Sequence, residues 1–500
     1  MQAYITYELF GAKGDGKTND IAAIIAAHDY ANAHKLPVIA HAGATYYIGN
    51  AAKGAVIKTD TDWTGASFIL DDTEVPLHER GVSIFTIIAD KAPYMLEGLT
   101  SLKKAQPHLG VRLPEDSVVV LTDANTKRYI RFGPNANKGS DQQEIIVVRK
   151  DGTVDAATPI TWDYEQVTGV QVIPMDPETM TVKGGTFTTV THPDILKPNY
   201  YQRGICLMRS NVVIDGLTHY VTNEHPVNGA PYGGILTIRN CADILVKNCT
   251  FTPHITFRYV NAKGVDRTQG TYDITPARTA NLTFENCTQT VDILDTRYWG
   301  VMGSNFCKNI TLDGCSFSRF DAHQGVANVT VLNSTLGHQC LNAIGFGTVR
   351  VENSTLYGIT MVNLRADYGS TWEGDVIIRN CTWIPRQGKH FAWAAMIGGS
   401  CNTFHDFGYK CYMPHTITIE NLHVDDSRMS PDGSGIYLFN NIVSEWTDEA
   451  YEAKVKAEGY PYEVTKKLSV SGYTSFSGNK WKISLNPFMY RNTEIVDGDC

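Results

Sequence analysis

Between about residues 205 and 430 one short pattern of apolar and polar positions recurs, and its alternation is the period of a strand. The pieces "VVIDGLT", "ILVKNCTF", "LTFENCTQ", "ITLDGCSF", "VTVLNSTL", "VRVENSTL", "VIIRNCTW" and "ITIENLHV" each alternate briefly and then reach an Asx-containing turn such as Asx-Gly, Asn-Cys or Asn-Ser. The second turn residues fall at 216, 249, 287, 315, 334, 354, 381 and 422, with the shortest steps at 315 to 334 and 334 to 354. A strand and turn repeated at about 20 residues predicts a parallel β-solenoid, in which each coil stacks only on its neighbours. Asn248, Asn286, Asn333, Asn353 and Asn380 then form a ladder from coil to coil, because Asn tolerates the left-handed conformation and hydrogen-bonds the next turn. The N-x-[ST] sequons at these and nearby positions follow from the same strand-and-turn pattern.

The flanks break the repeat. "GDGKTNDIAAIIAAHDYANAH" offers Asn19 and Asp20 as a cap and then an apolar-periodic run with Ile21, Ile24, Ile25 and Ala27. It predicts a helix over 20–33 that closes the open end of the solenoid. Irregular strands such as "SVVVLTD" and "EIIVVRKDG" predict a β-rich insertion over 105–195. A short charged helix in "TDEAYEAKVKAEG" and a few strands make the tail a second cap. The expected organisation is a cap with first coils over 1–104, the insertion, main coils over 196–431 and a C-terminal cap over 432–500.

Composition narrows the class. The 500 residues are 43% hydrophobic and 19% charged, with 43 glycines and 25 tyrosines, enough for a packed core and unlike a disordered chain. A net charge of -9 without a Lys/Arg run argues against nucleic acid, which needs a basic footprint; a polyanion would need a local basic patch. No apolar run approaches the roughly 18 residues of a membrane helix. The start "MQAYITYELF" lacks a basic n-region followed by an apolar h-region, so a secreted or periplasmic protein would have lost its leader, and a cytoplasmic one is left open. The 11 cysteines show no CxxC pair and no metal-ligand spacing, and are expected as small buried side chains. No metal or cofactor is expected.

"YELFGAKGDGKTND", followed by the helix and "GATYYIG", resembles the N-terminal signature of the pectate-lyase-like superfamily, which includes pectate lyases, polygalacturonases and phage tailspike depolymerases. The resemblance covers about the first 50 residues, and it implies an all-β, single-stranded right-handed parallel β-helix with an N-terminal capping helix. It implies the scaffold and not one reaction, since lyases, hydrolases and binding fibres share it. Neither the paired-aspartate segment of polygalacturonases nor the acidic calcium cluster of pectate lyases is found.

Candidate chemistry lies in "RFDAHQG", where Arg319, Asp321 and His323 alternate with Phe320 and Ala322. Counted outward from the turns, Asp295 and Asn342 join His323, while His338 joins Arg319. The next coil offers Asn363, Arg365 and Asp367 in "NLRADYG", and the preceding one offers Asp295 and Arg297 in "LDTRYWG". Coils are about 4.8 Å apart, so these side chains are expected as one outward patch. Carboxylates on neighbouring coils suit glycoside hydrolysis, where the pair stands about 5 Å or roughly 6.5–9.5 Å apart. The expected catalytic groups are Asp321 with Asp367 or Asp295, His323 and His338 as proton carriers, and Glu373 as a further acid on a loop. Arg297, Arg319 and Arg365 would hold an acidic sugar, Tyr298, Trp299, Tyr368 and Trp372 would stack on sugar rings, and Asn342 and Asn363 would hydrogen-bond them.

These residues point to an enzyme acting on a poly- or oligosaccharide, with hydrolysis first. A polysaccharide lyase, using His323, His338 or Tyr298 as the base, is the first alternative. A non-catalytic glycan-binding or fibre protein is the second. Nucleic acid and membrane are not expected partners, and a homo-oligomer is left open.

Overall fold

The computed structural model describes residues 4–193, 200–224, 232–260, 264–385, 393–401, 405–429, 435–442 and 463–498, with Glu449 and Ala453. One 27-stranded sheet, paired in parallel between successive coils, winds through these residues as a parallel β-helix. Inward residues stack from coil to coil: Val212, Ile244, Leu282, Ile310, Val329, Val349, Val376, Ile417 and Leu468 stand opposite one another in turn. A second column runs Leu236, Ile274, Met302, Phe320, Leu341, Val362, Ile397 and Phe439. All of these are buried in one elongated core, so each coil's apolar face is covered only by the coils above and below it.

The corners explain the repeat. Asn248, Asn286, Asn333, Asn353 and Asn380 all have φ between 49 and 53, a left-handed conformation that Asn tolerates better than most residues. Asn353 donates to Asn333, Asn380 to Asn353 and Asn421 to Asn380, so the asparagine ladder runs from 333 to 421, whereas Asn248 donates to Asp215 and Asn333 to Asp313, where the neighbouring corner is Asp-Gly. A parallel ladder, Asp243, Asn281, Asn309 and Asn328, runs along the next corner. The ten described cysteines are all buried, and none forms a disulfide with another of them.

The helix is Ile21–His34, with Ile21, Ile24, Ala27 and Ala31 turned inward. Asp20 precedes it but does not cap it with its side chain; its carboxylate accepts from the amides of Lys13 and Gly14 instead.

Coil pairing begins as early as Asp15 with Thr45, inside the 1–104 segment expected to hold the first coils. Two boundaries differ from the sequence expectation. The insertion is a four-stranded antiparallel sheet from Tyr94–Met95 to Gly169–Pro174, whereas Met180–Val190 already continues the coils, so 105–195 begins and ends too late. The tail adds coil strands at Gly435–Phe439, Lys467–Ser471 and Glu494–Asp497. Most of the segment expected as a charged tail helix lies outside the described residues.

The insertion is anchored to the coils. Lys308, on the coil strand Met302–Asp313, reaches Glu144 at 2.5 Å, both nearly sealed from water, and Arg278 donates to Gln143 at 2.8 Å. Removing one member of such a buried pair costs several kcal/mol. The insertion therefore forms a fixed wall along the coil face.

Candidate functional site

Asp321 lies on Ser316–Leu332. Its neighbours Phe320 and Ala322 point into the core, so the alternation places Arg319, Asp321 and His323 on the outer side as expected. The register, however, is Gly303, Asp321, Asn342 and Asn363 across successive coils. Bulges between Ser304 and Asn305 and between Phe317 and Arg319 shift the count from the turns. Asp295 consequently lies in the loop before Tyr298–Gly300 and not one rung beneath Asp321, and Arg319 stands opposite Cys340, not His338.

The outer side at Asp321 is covered. Its carboxylate is fully buried and takes hydrogen bonds from Arg319 at 2.9 Å, from Arg365 at 2.8 Å and from the Tyr272 hydroxyl. Gly303 makes this possible, because a Cβ there would stand 2.5 Å from the Tyr272 ring. Burial by itself would raise the Asp321 carboxyl, but the Arg319 and Arg365 charges outweigh it and hold the group well below the ordinary carboxylate range. Asp321 is a buried anchor for two arginines, and not the exposed carboxylate the alternation suggested.

Around it the charges form one network. Arg365 also bonds Asp367 at 2.9 Å, and Arg131, from the insertion, reaches the same carboxylate at 2.7 Å. Burial raises Asp367, but Arg365 and Arg131 overcome this and lower it. Three guanidinium groups thus share two carboxylates, leaving one positive charge over.

His323 lies beside this network, with Nδ1 at 3.0 Å from Asn305 Oδ1. With that oxygen as acceptor, Nδ1 carries the proton and Nε2 carries the lone pair. Burial first, then the Arg365 charge, push the imidazole down to about 4, so it is neutral at physiological pH.

The remaining sequence candidates separate. Tyr368 and Trp372 are core side chains, each fully buried; the Trp372 indole donates to Gly347 at 3.0 Å, and the Tyr368 ring lies 5.4 Å from Arg131 and 5.3 Å from Arg365. Neither offers a face to a sugar. Asn342 is buried and accepts from Asn363 at 2.7 Å, a ladder contact within the sheet. Trp299 stays half-exposed, with Arg319 stacked at 4.8 Å. Asp295 is lowered chiefly by its hydrogen bond from Arg297, whose guanidinium sits 5.8 Å from the Tyr298 ring. His338 meets the Ile293 carbonyl at 3.1 Å in the same loop. Glu373 is on the strand Trp372–Ile384, not a loop, and pairs with Lys104 at 2.8 Å. In "NTFHDFGYKCYMPH", His405 contacts the Ile130 carbonyl at 2.9 Å, while Lys389 and His390 of "QGKH" lie outside the described residues.

Sequence reasoning passed over Tyr272 and Arg131, which complete the network from distant segments. It also passed over a buried relay in which His219 and His254 meet Asp273 at 2.8 and 3.3 Å and His254 meets Glu224 at 3.1 Å. "TYDIT" and "NEHP" carry no local signal of this meeting.

No family model matches the chain. Over 234 residues it is 25% identical to a capsule KL64-specific depolymerase of Klebsiella phage P510; the match takes in 40% of this chain and only 22% of that protein. Among solved structures, the tailspike gp61 of Pseudomonas phage phi297 superposes with a TM-score of 0.56 at 14% identity, covering 94% of this chain and 80% of gp61. The tailspike gp49 of Pseudomonas phage LKA1 gives 0.53 at 12% identity, covering 94% and 81%. The chain has the parallel β-helix fold of these phage tailspikes and is distantly related, over its matched segment, to a phage capsule depolymerase.

Proposed function

We propose that the protein is a depolymerase of an acidic, capsule-type polysaccharide and that it cleaves by elimination. The observation that carries this reading is a neutral histidine beside an arginine cluster with one uncompensated positive charge. Hydrolysis needs a carboxyl that stays protonated at working pH, yet Asp321, Asp367 and Asp295 are all held below their ordinary range. Elimination from a uronic acid needs a base and a cation on the sugar carboxylate instead. Relatedness to a capsule depolymerase over part of the chain supports the substrate class, which lies outside the cell.

In this reading Arg131, with Arg365 and Arg319 behind it, neutralises the uronate. His323 Nε2 takes the C5 proton, the electron pair forms the C4–C5 double bond, and the C4–O bond breaks. The departing oxygen then receives the proton from the imidazolium. A sugar carboxylate arriving beside His323 adds negative charge, which lifts the imidazole from about 4 towards neutrality and strengthens the base. Asp321 and Asp367 hold the arginines in place.

The test is digestion of purified acidic capsular polysaccharides, the KL64 type among them, read by ultraviolet absorbance and product mass. Unsaturated ends without added water are expected. Products heavier by one water would overturn elimination in favour of hydrolysis, and no cleavage with retained binding would make the protein a glycan-binding fibre.

A further inference from the structure

His323 is the extra residue of a bulge: Ser304 stands opposite Ala322, and Asn305 opposite Gln324. From there the outer column runs Gln324, Asn305, Ala277 and Arg239 across successive coils. All four are half-exposed, as is His323, and Ala277 ends at its Cβ. The column is therefore an open strip from the bulge to Arg239, three coil spacings or about 14 Å along the stack. Arg365 lies on the other side of the bulge, in the coil of Asn363, two spacings beyond Asp321.

Arg239 has a second guanidinium beside it. Arg278 occupies a corner with φ at 48, and its side chain reaches back to the coil of Arg239. Its Nε donates to Asn240 Oδ1 at 2.7 Å, and Nη1 donates to Gln143 Oε1 of the insertion at 2.8 Å. Both acceptors are neutral amides. Burial lowers Arg278, and the Arg239 charge lowers it further, as two like charges do without a carboxylate between them. Arg239 also acts on the Cys206 thiol, which burial pushes up and the guanidinium draws down. Among the described residues neither guanidinium pairs with a carboxylate, whereas Arg350, Arg379 and Lys308 on the coil strands do. An arriving carboxylate would relieve the repulsion and accept charge-assisted hydrogen bonds.

We infer that Arg239 and Arg278 hold a second acidic group of the polysaccharide, on a sugar further along the chain than the one at Arg131 and His323. The span from the bulge is longer than one sugar ring, so the two acidic groups belong to different residues of the chain. The inference rests on the saccharide reading above and adds a direction: the chain runs along the coil stack over Ala277, with an acidic group on either side of His323.

Arg239→Gln tests it, with Arg239→Lys as the variant that keeps the charge. The probes are size-fractionated oligosaccharides of the acidic capsular polysaccharides above, carrying one acidic group or several. On fragments with several, Arg239→Gln is expected to raise KM roughly tenfold or more, the scale of one lost charged hydrogen bond, with kcat unchanged and most of the loss recovered in Arg239→Lys. On fragments with one, KM should hardly move. Unchanged KM on the longer fragments, or an equal rise on both sizes, in a variant of unaltered melting temperature, would overturn the second site and leave the enzyme reading intact. The same KM pattern with products heavier by one water upholds the site while elimination falls. If nothing is cleaved, binding of the same fragments is compared by titration calorimetry. Weaker binding of the longer fragments alone upholds the site without the enzyme reading, while unaltered binding, or none to the unmodified protein, overturns it.

Discussion

Asp321→Asn keeps the size of the side chain but takes the negative charge from a place that water does not reach. Arg319 and Arg365 would remain beside it, only 5% and 9% exposed, two guanidinium groups with their shared counter-charge gone. Breaking a buried ion pair by removing one partner costs about 3–5 kcal/mol, and the Tyr272 hydroxyl bond to the carboxylate weakens as well. Stability should therefore fall by about that amount, far more than the ~1 kcal/mol or less of a surface pair. Asp243 is the comparison: it is exposed and accepts from Asn281 at 2.8 Å, so Asp243→Asn should shift the unfolding midpoint little. Because a solenoid unfolds by neighbouring coils, hydrogen exchange of the amides around 319–323 and 362–367 complements the urea midpoint. The carboxyl is depressed in the fold, so its stabilisation is present above the unfolded value of about 3.9 and is lost as pH falls below it. The gap between the two proteins should accordingly narrow in acid. Equal midpoints at pH 7, or a gap that widens in acid, would refute the buried-anchor reading.

Trp372→Ala should cost about 3–5 kcal/mol by leaving a core cavity, seen as a large drop in melting temperature; a small drop with lost glycan affinity would restore the ring to the surface. His254 is driven down by burial but more strongly up by Glu224 and Asp273, to about 10. Its contribution should be full below the unfolded value of about 6.5 and lost as pH rises through about 10, so its imidazole resonances should stay in the charged position at pH 8; titration near 6.5 would contradict this. Cys249, Cys287, Cys315 and Cys381 are buried and should resist a thiol reagent until denaturant is added, with labelling of the native protein as the contrary result.

The sequence made the coils legible because they are local: a few alternating residues and an asparagine corner define each strand, and stacking repeats it. Even the side choice at 319–323 was legible, since Phe320 and Ala322 do face the core. What covers the outer face was not. Arg131 reaches Asp367 and Tyr272 reaches Asp321 across large sequence separations, and nothing in "RYIRFG" or "GTYDIT" signals the meeting. Counting from the turns also misplaced Asp295 and His338, because corner bulges and loops of unequal length alter the register between coils. Tyr368 and Trp372 looked like sugar platforms for the same reason: aromatic character was visible, but burial depended on segments far away.

The central claim is that His323 is the base of a cleavage directed to an acidic sugar. Single-turnover rates of the unmodified protein and of His323→Gln, measured from pH 4 to 9 on an acidic capsular polysaccharide that the unmodified protein degrades, test it most directly. The unmodified rate should rise as pH passes the imidazole's titration, shifted upward from about 4 by the bound carboxylate, and His323→Gln should be slower by about 10²–10⁴-fold. A His323→Gln protein of equal rate and unchanged pH profile would contradict the claim and pass the chemistry to Asp367, Asp295 or Glu373.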